Sequence, residues 1–384
     1  MQFEFGTAGR VIFGAGTISR ADGIAAQFGK RALVVTGRNQ KRAEPLLNGL
    51  RTQGIAALTF SVFGEPETET IEQGVKLARQ HRAELIISMG GGSAIDAGKA
   101  IAAMLTNPGE LMDYLEVIGG GKTLANPSAP FIAIPTTAGT GSEATRNAVL
   151  SSARHHVKVS LRSAFMLPRA AIIDPALTHE LPPEITASTG LDALTQVIEP
   201  FVCVRANPMT DALCLEGMER AARSLRRAFA NGSDAAARED MSVASLFGGL
   251  GLANAGLGAV HGFAGPIGGM FAAPHGAICA ALLPYVIEAN IVAAKKDRSH
   301  KETLERYDRV AKALTSNPSA GAEEAVGWTR SLIEDLRIPP LRTYGIRKTD
   351  LTEISEKAAK ASSMKANPIQ LSTEDLTGVL ERAL

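Results

Sequence analysis

Two histidines fourteen residues apart, His261 and His275, lie in a stretch from Met241 to Ile287 that contains no Asp, Glu, Lys or Arg. A single imidazole in apolar sequence is most often a hydrogen-bonded core residue. Upstream, GLDALTQVIEP (190–200) sets Asp192 and Gln196 at i and i+4, so both leave one face of a helix. One carboxylate, two imidazoles and one amide oxygen form a donor set able to hold a divalent metal with open positions. The remaining histidines, His81, His155, His156, His179 and His300, lie in polar surroundings and read as surface residues.

Two other segments have the chemistry of anion and ligand binding. ISMGGGSAIDAGKA (87–100) runs a strand into Gly90, Gly91, Gly92 and Ser93 and opens a helix at once. Unpaired backbone N–H groups and the positive end of a helix dipole at such a turn suit a pyrophosphate. The pattern is not G-x-G-x-x-G and follows the third strand, and a tight turn with Ser93 as a helix cap is the plainer alternative. IPTTAGTGSEATRN (134–147) places the hydroxyls of Thr136, Thr137, Thr140 and Ser142 after a strand end. In open α/β sheets ligands bind outside the carboxyl ends of strands.

The elements that must position these residues alternate in the first half. Strands are expected at 31–37, 56–63, 84–90 and 130–137, with helices at 43–54, 68–81 and 94–105 between them. Such alternation implies parallel βαβ units and a doubly wound sheet. After Pro182-Pro183 the pattern is almost wholly helical, with helices expected at 184–199, 208–229, 235–254, 257–270, 276–294, 301–314, 320–336 and 348–361. The expected architecture is an α/β dinucleotide-binding domain with a parallel sheet over residues 1–180, then an all-α metal-binding domain over 181–384. No long Gly/Ser/Pro linker separates them, so close packing with a cleft between the two is expected.

The 384 residues carry 40 Lys+Arg against 39 Asp+Glu, a formal net charge of +1, so no basic excess points to nucleic acid or an acidic membrane. Cys203, Cys214 and Cys279 are too few and too scattered for a disulfide framework or a CxxC metal pattern. The amino terminus has no basic and apolar leader, which makes the cytoplasm the expected compartment. The charge-free run is cut by Asn254, His261, Pro266, Pro274, His275 and Pro284, whereas a membrane span needs about 20 predominantly apolar residues. It reads as buried helices around a polar cavity.

Taken together, RVIFGAG (10–16), GGGSAIDAGKA (90–100), PTTAGTGSEAT (135–145), IIDPAL (172–177), GLDALTQ (190–196), VHGFAG (260–265) and PHG (274–276) resemble the iron-containing, or group III, alcohol dehydrogenases of the dehydroquinate synthase-like fold. The resemblance covers nearly the whole chain. It implies an NAD(P)-linked oxidoreductase that moves a hydride reversibly between a small alcohol or aldehyde and nicotinamide C4, with iron or zinc polarising the reacting oxygen. The family's metal ligands fall on Asp192, Gln196, His261 and His275. Its cofactor residues fall on Gly91, Gly92, Ser93, Asp96, Thr136, Thr137, Thr140, Asn147 and Lys158, with Lys158 and Asn147 on the nicotinamide side. Phe263, Met270 and Phe271 are expected to form an apolar substrate wall.

Two positions depart from the family pattern. Gln196 stands where the family has histidine, and Gly265 stands where many members carry another histidine. A neutral amide is a weaker donor than imidazole for these metals, so affinity or metal preference differs, or the enzyme works without metal like relatives that reduce maleylacetate. At the end of the first strand, Gly37 and Arg38 replace the Asp expected of NAD-preferring relatives, which leans the expectation to NADP. The competing readings are a dehydroquinate synthase-type lyase and a degenerate NADP-binding protein. The family also implies a homodimer.

Overall fold

The computed structural model describes residues 2–155 and 157–384; His156, expected at the surface, lies outside them. In chain order the first elements are β1 (Val11–Phe13), α1 (Ala21–Ala25), β2 (Arg31–Thr36), α2 (Glu44–Thr52), β3 (Ala56–Ser61), α3 (Thr68–Gln80) and β4 (Leu85–Gly90). They are followed by α4 (Gly92–Thr106), α5 (Leu111–Tyr114), β5 (Phe131–Pro135), β6 (Asn147–Ser152), β7 (Val157–Arg162) and β8 (Ala170–Ile173). Six strands form one parallel sheet in the order β1-β8-β5-β4-β2-β3. Strands β4 and β5 are buried along their whole length, as expected where helices cover both faces of a parallel sheet. Alternate residues feed two apolar layers: Leu33, Val35 and Ile86 on one side, Val34, Leu85 and Ile87 on the other.

The strand order turns back between β2 and β4, since β3 lies on the far side of β2. Thr36 pairs level with Met89, and Gly90 with Pro135, so the carboxyl ends of β2, β4 and β5 finish at one edge. Ligands of doubly wound sheets bind outside this switch point. Helix α4 lies tightly on β4, because a Cβ at Gly98 would fall 1.9 Å from Ser88 Oγ.

The helical unit contains α6 (Pro183–Val202), α7 (Pro208–Ala230), α8 (Ala235–Asn254), α9 (Ala259–Met270), α10 (His275–Lys296), α11 (Lys301–Thr315), α12 (Ala322–Asp335), α13 (Leu351–Lys360) and α14 (Thr373–Ala383). Helix α6 is buried from Gly190 to Val202 and packs against α7, α8 and α10. By length and composition α10 is apolar enough to cross a membrane, but 72% of that stretch is buried within the structure. Helices α8 and α9 meet the same test as a pair, yet they turn by 94° between them. Such burial marks core helices.

Chain contacts divide the protein into a sheet unit, residues 6–137 and 141–178, and a helical unit that includes 138–140 and 179–384 together with residues 2–5. A single boundary at 180 differs from this division at residues 2–5, 138–140 and 179–180. Several elements were not expected from the sequence. These are β1, α1, α5, β8, α14 and the antiparallel β6–β7 hairpin, which starts at the last residue of the 134–147 segment. Asn147–Ser152 alternates half-buried and buried positions, a period-2 signal that its serines and asparagine obscure.

Candidate functional site

Along α6, Asp192, Gln196 and Glu199 follow at i, i+4 and i+7 and share one face. Near its start, α10 approaches this face closely: a Cβ at Gly276 would lie 2.3 Å from Ser188 O and 3.4 Å from Asp192 Cβ. Only glycine permits that approach, and it brings His275 to Asp192. His261 arrives from the first turn of α9. There Glu199 Oε1 accepts from Val260 N at 2.6 Å and Asn367 Oδ1 from Ala259 N at 3.1 Å, satisfying two of the donors a helix start leaves open.

Asp192, His261, His275 and Cys279 then place one ligand atom each within 4.8 Å of one another. His261 Nε2 is 3.3 Å and His275 Nε2 3.8 Å from Asp192 Oδ1. That oxygen is buried and has no hydrogen-bond partner. The imidazole nitrogens and the carboxylate oxygen face a common point rather than bonding one another, which fits a cation. On the other side of its ring, His261 Nδ1 lies 2.6 Å from Glu199 Oε2. The carboxylate accepts the Nδ1–H, fixes the tautomer and leaves Nε2 to donate its lone pair.

The electrostatics agree with a site that attracts positive charge. Burial pushes the Asp192 carboxyl upward, but His275 and His261 outweigh it and hold the group below the usual carboxylate range. Burial favours neutral imidazole at His261, yet Cys279, Glu199 and Asp192 outweigh it and raise the ring well above the ordinary histidine value, so a cation binding at Nε2 would displace a proton. Burial opposes ionisation of the Cys279 thiol, and the two imidazoles reverse that and bring it down.

Gln196 is placed one turn along α6 from Asp192. Its amide N–H donates to Thr140 O at 2.8 Å, leaving the amide oxygen as the atom a cation could take. At Gly265, one turn beyond His261, an added Cβ would meet no atom within 4 Å apart from its chain neighbours and its own helix backbone. Phe263 does not form a pocket wall: it is fully buried in the helical core, while Met270 and Phe271 are partly buried against it. Helix α9 packs against both α10 and α13.

In the sheet unit Gly91 caps α4 and Gly92 begins it, so Ser93 lies inside the first turn and is not the cap. A Cβ on Gly91 would sit 3.4 Å from the Thr137 side chain, which brings the glycine turn and the strand-end loop together. Thr136 N donates to Gly90 O at 2.9 Å and joins them further. Asp96 accepts from Ser142 Oγ and, at 3.0 Å, from Val149 N. Lys99 is fully buried, with Ser142 O, Ser142 Oγ, Thr145 Oγ1 and Asn147 O all within 3.0 Å of Nζ. Lys158 on β7 pairs with Glu65 at 3.0 Å. Gly37 follows β2, and Arg38 beyond it is exposed.

Three residues of these arrangements escaped sequence reasoning. Cys279 stands four residues after His275, Glu199 three after Gln196, and Lys99 three after Asp96; each spacing marks a shared helix face. Glu199→Gln is expected to weaken divalent-metal affinity about 10- to 100-fold, because a neutral amide no longer anchors His261. Competition with a metal-sensitive chelator measures it, and an unchanged affinity would remove Glu199 from the site.

The profile of the iron-containing alcohol dehydrogenases matches residues 8–175, and that of the family's C-terminal domain matches 186–384. The 1,3-propanediol dehydrogenase of Klebsiella pneumoniae is 35% identical over 92% of each chain. Alcohol dehydrogenase 4 of Saccharomyces cerevisiae (strain YJM789) is 35% identical over 97% of this chain and 96% of its own. A crystal structure of a 1,3-propanediol oxidoreductase has a TM-score of 0.93 at 33% identity and covers 100% of both chains. The sheet topology, the helical second unit and these similarities agree: the chain belongs to the iron-containing alcohol dehydrogenase family, nicotinamide-linked oxidoreductases of alcohols and aldehydes that use a divalent metal.

Proposed function

We propose that the chain interconverts a small alcohol and its aldehyde at Asp192, His261 and His275, passing the hydride between the oxygen-bearing carbon and C4 of NADP(H). The observation that carries this reading is Asp192 Oδ1, buried without a hydrogen-bond partner and faced by two imidazole nitrogens at 3.3 and 3.8 Å. A divalent cation held there supplies Lewis-acid polarisation of the reacting oxygen. Asp192 contributes the anionic charge, and His261 is held in its donor tautomer by Glu199. Gln196, one turn along α6 from Asp192, ties the turn at Thr140 to α6.

On the sheet unit, Gly91, Gly92 and Ser93 open α4 with N–H groups for the pyrophosphate, and Thr136 and Thr137 extend that binding. Asp96 and Asn147 belong to the Lys99 network and keep the loop after β5 in place. Lys158, nearly buried and balanced by Glu65, provides the cation on the nicotinamide side. Support for NADP over NAD comes from exposed Arg38 directly after Gly37 at the end of β2, with no carboxylate at that turn. Arg38→Ala is expected to lower the preference for NADPH over NADH about 10- to 100-fold, the loss of a charged hydrogen bond to the 2′-phosphate. An unchanged ratio of Kd values would reject that role.

Three free thiols, all buried, suit the reducing cytoplasm. Strand β1 ends the sheet with Val11 41% exposed, an edge that a second copy covers in a homodimer. The direct test of the activity follows NADPH consumption with a panel of short aldehydes. Turnover is expected; tight dinucleotide binding with no turnover on any of them would contradict the reading.

A further inference from the structure

We infer that Cys279 is a metal ligand, completing with Asp192, His261 and His275 an Asp-His-His-Cys donor set for zinc or ferrous iron. This rests on the helical unit being a metal centre, and it assigns the fourth protein donor to sulfur in place of Gln196. His275 and Cys279 stand one turn apart at the start of α10, so both side chains leave the same face. Cys279 is fully buried, and its Sγ lies 3.8 Å from His261 Nε2 and 3.8 Å from His275 Nε2. Asp192 Oδ1 faces the same two nitrogens at 3.3 and 3.8 Å.

Tetrahedral bonds of about 2.3 Å to sulfur and about 2.0–2.2 Å to nitrogen and oxygen separate neighbouring donors by about 3.3–3.6 Å. The four measured edges lie at that spacing or slightly above it. An independent observation points to the same centre: the buried Asp192 Oδ1 has no hydrogen-bond partner, a costly arrangement that a cation among the four atoms relieves. Gln196 is a poorer donor than a thiolate, because its amide oxygen is neutral and harder than sulfur. A thiolate is anionic and soft, and it favours zinc and iron over magnesium or manganese. Among the described residues, neither Cys203 nor Cys214 belongs to such a donor group.

Cobalt(II) reads the donor directly, since cobalt–thiolate bonding gives an intense near-ultraviolet charge-transfer band that nitrogen and oxygen donors do not produce. Full-length protein, stripped by chelator and reloaded with cobalt chloride, is expected to show the band at a single equivalent. The Cys203→Ser/Cys214→Ser double variant is expected to keep it. Cys279→Ser and the bulkier Cys279→Asn are expected to lose the band and to bind cobalt about tenfold or more weakly. Cobalt bound by the unaltered protein without the band overturns the assignment of Cys279 and leaves Asp192, His261 and His275 as the centre. No binding of cobalt, zinc or ferrous iron by the unaltered protein overturns both.

Discussion

His261→Ala is expected to lower kcat at least ~1000-fold while leaving the Kd for NADPH unchanged. Lewis-acid stabilisation of the reacting oxygen is worth several kcal/mol, and each 1.4 kcal/mol is about a factor of ten in rate. The substitution removes one imidazole donor and leaves Glu199 Oε2 and Asp192 Oδ1 buried without the ring that faces both. NADPH affinity is insulated because most of the proposed cofactor contacts, Gly91 to Ser93 and Thr136 to Thr137, belong to the sheet unit. Steady-state kinetics with fluorescence titration of NADPH separates the two quantities. A near-normal kcat would remove His261 from the chemistry, and a parallel loss of NADPH binding would show general damage.

Lys99→Met is expected to cost about 3–5 kcal/mol of stability, the penalty for removing one partner of a buried charge network. The ammonium has Ser142, Thr145 and Asn147 oxygens around it and Asp96 Oδ1 at 3.6 Å. Burial raises the Asp96 carboxyl and pushes Glu143 up to about 7, with Lys99 opposing both shifts. Without the cation both rise further. A carboxyl whose pKa is higher in the folded state binds more protons there, so stability falls as pH rises above the ordinary carboxylate range. The gap between variant and parent protein is therefore expected to widen from acid toward neutral and alkaline pH in urea unfolding. A gap that is constant with pH would mean that the loss is one of packing alone.

Parts of this fold were legible for a definite physical reason. Strands β2, β4 and β5 are buried on both faces and read as unbroken apolar runs, which few other structures produce. Strands β6 and β7 are half-buried and rich in polar residues, and β1 has only three residues, too few to establish a period. The placement of residues 138–140 with the helical unit depends on contacts such as Gln196 to Thr140, which no local pattern encodes.

The candidate site divides in the same way. Asp192 and Gln196 are related by helix geometry, and His261 and His275 are conspicuous in a charge-free run, so their types and spacing suggest a metal before any coordinates are considered. Cys279 was hidden because a scattered thiol invites a search for cysteine pairs, whereas its partner is the histidine one turn earlier. Glu199 was hidden because its role lies in what α9 presents to it: the free Val260 N–H and the far side of the His261 ring. Such roles are properties of helix packing rather than of spacing.

The measurement that tests the central claim most directly is metal content against aldehyde-dependent NADPH turnover, in protein stripped by chelator and then titrated with zinc or ferrous iron under anaerobic conditions. The account predicts negligible turnover in the stripped protein and recovery that saturates at a single metal per chain. Undiminished turnover by metal-free protein would contradict it.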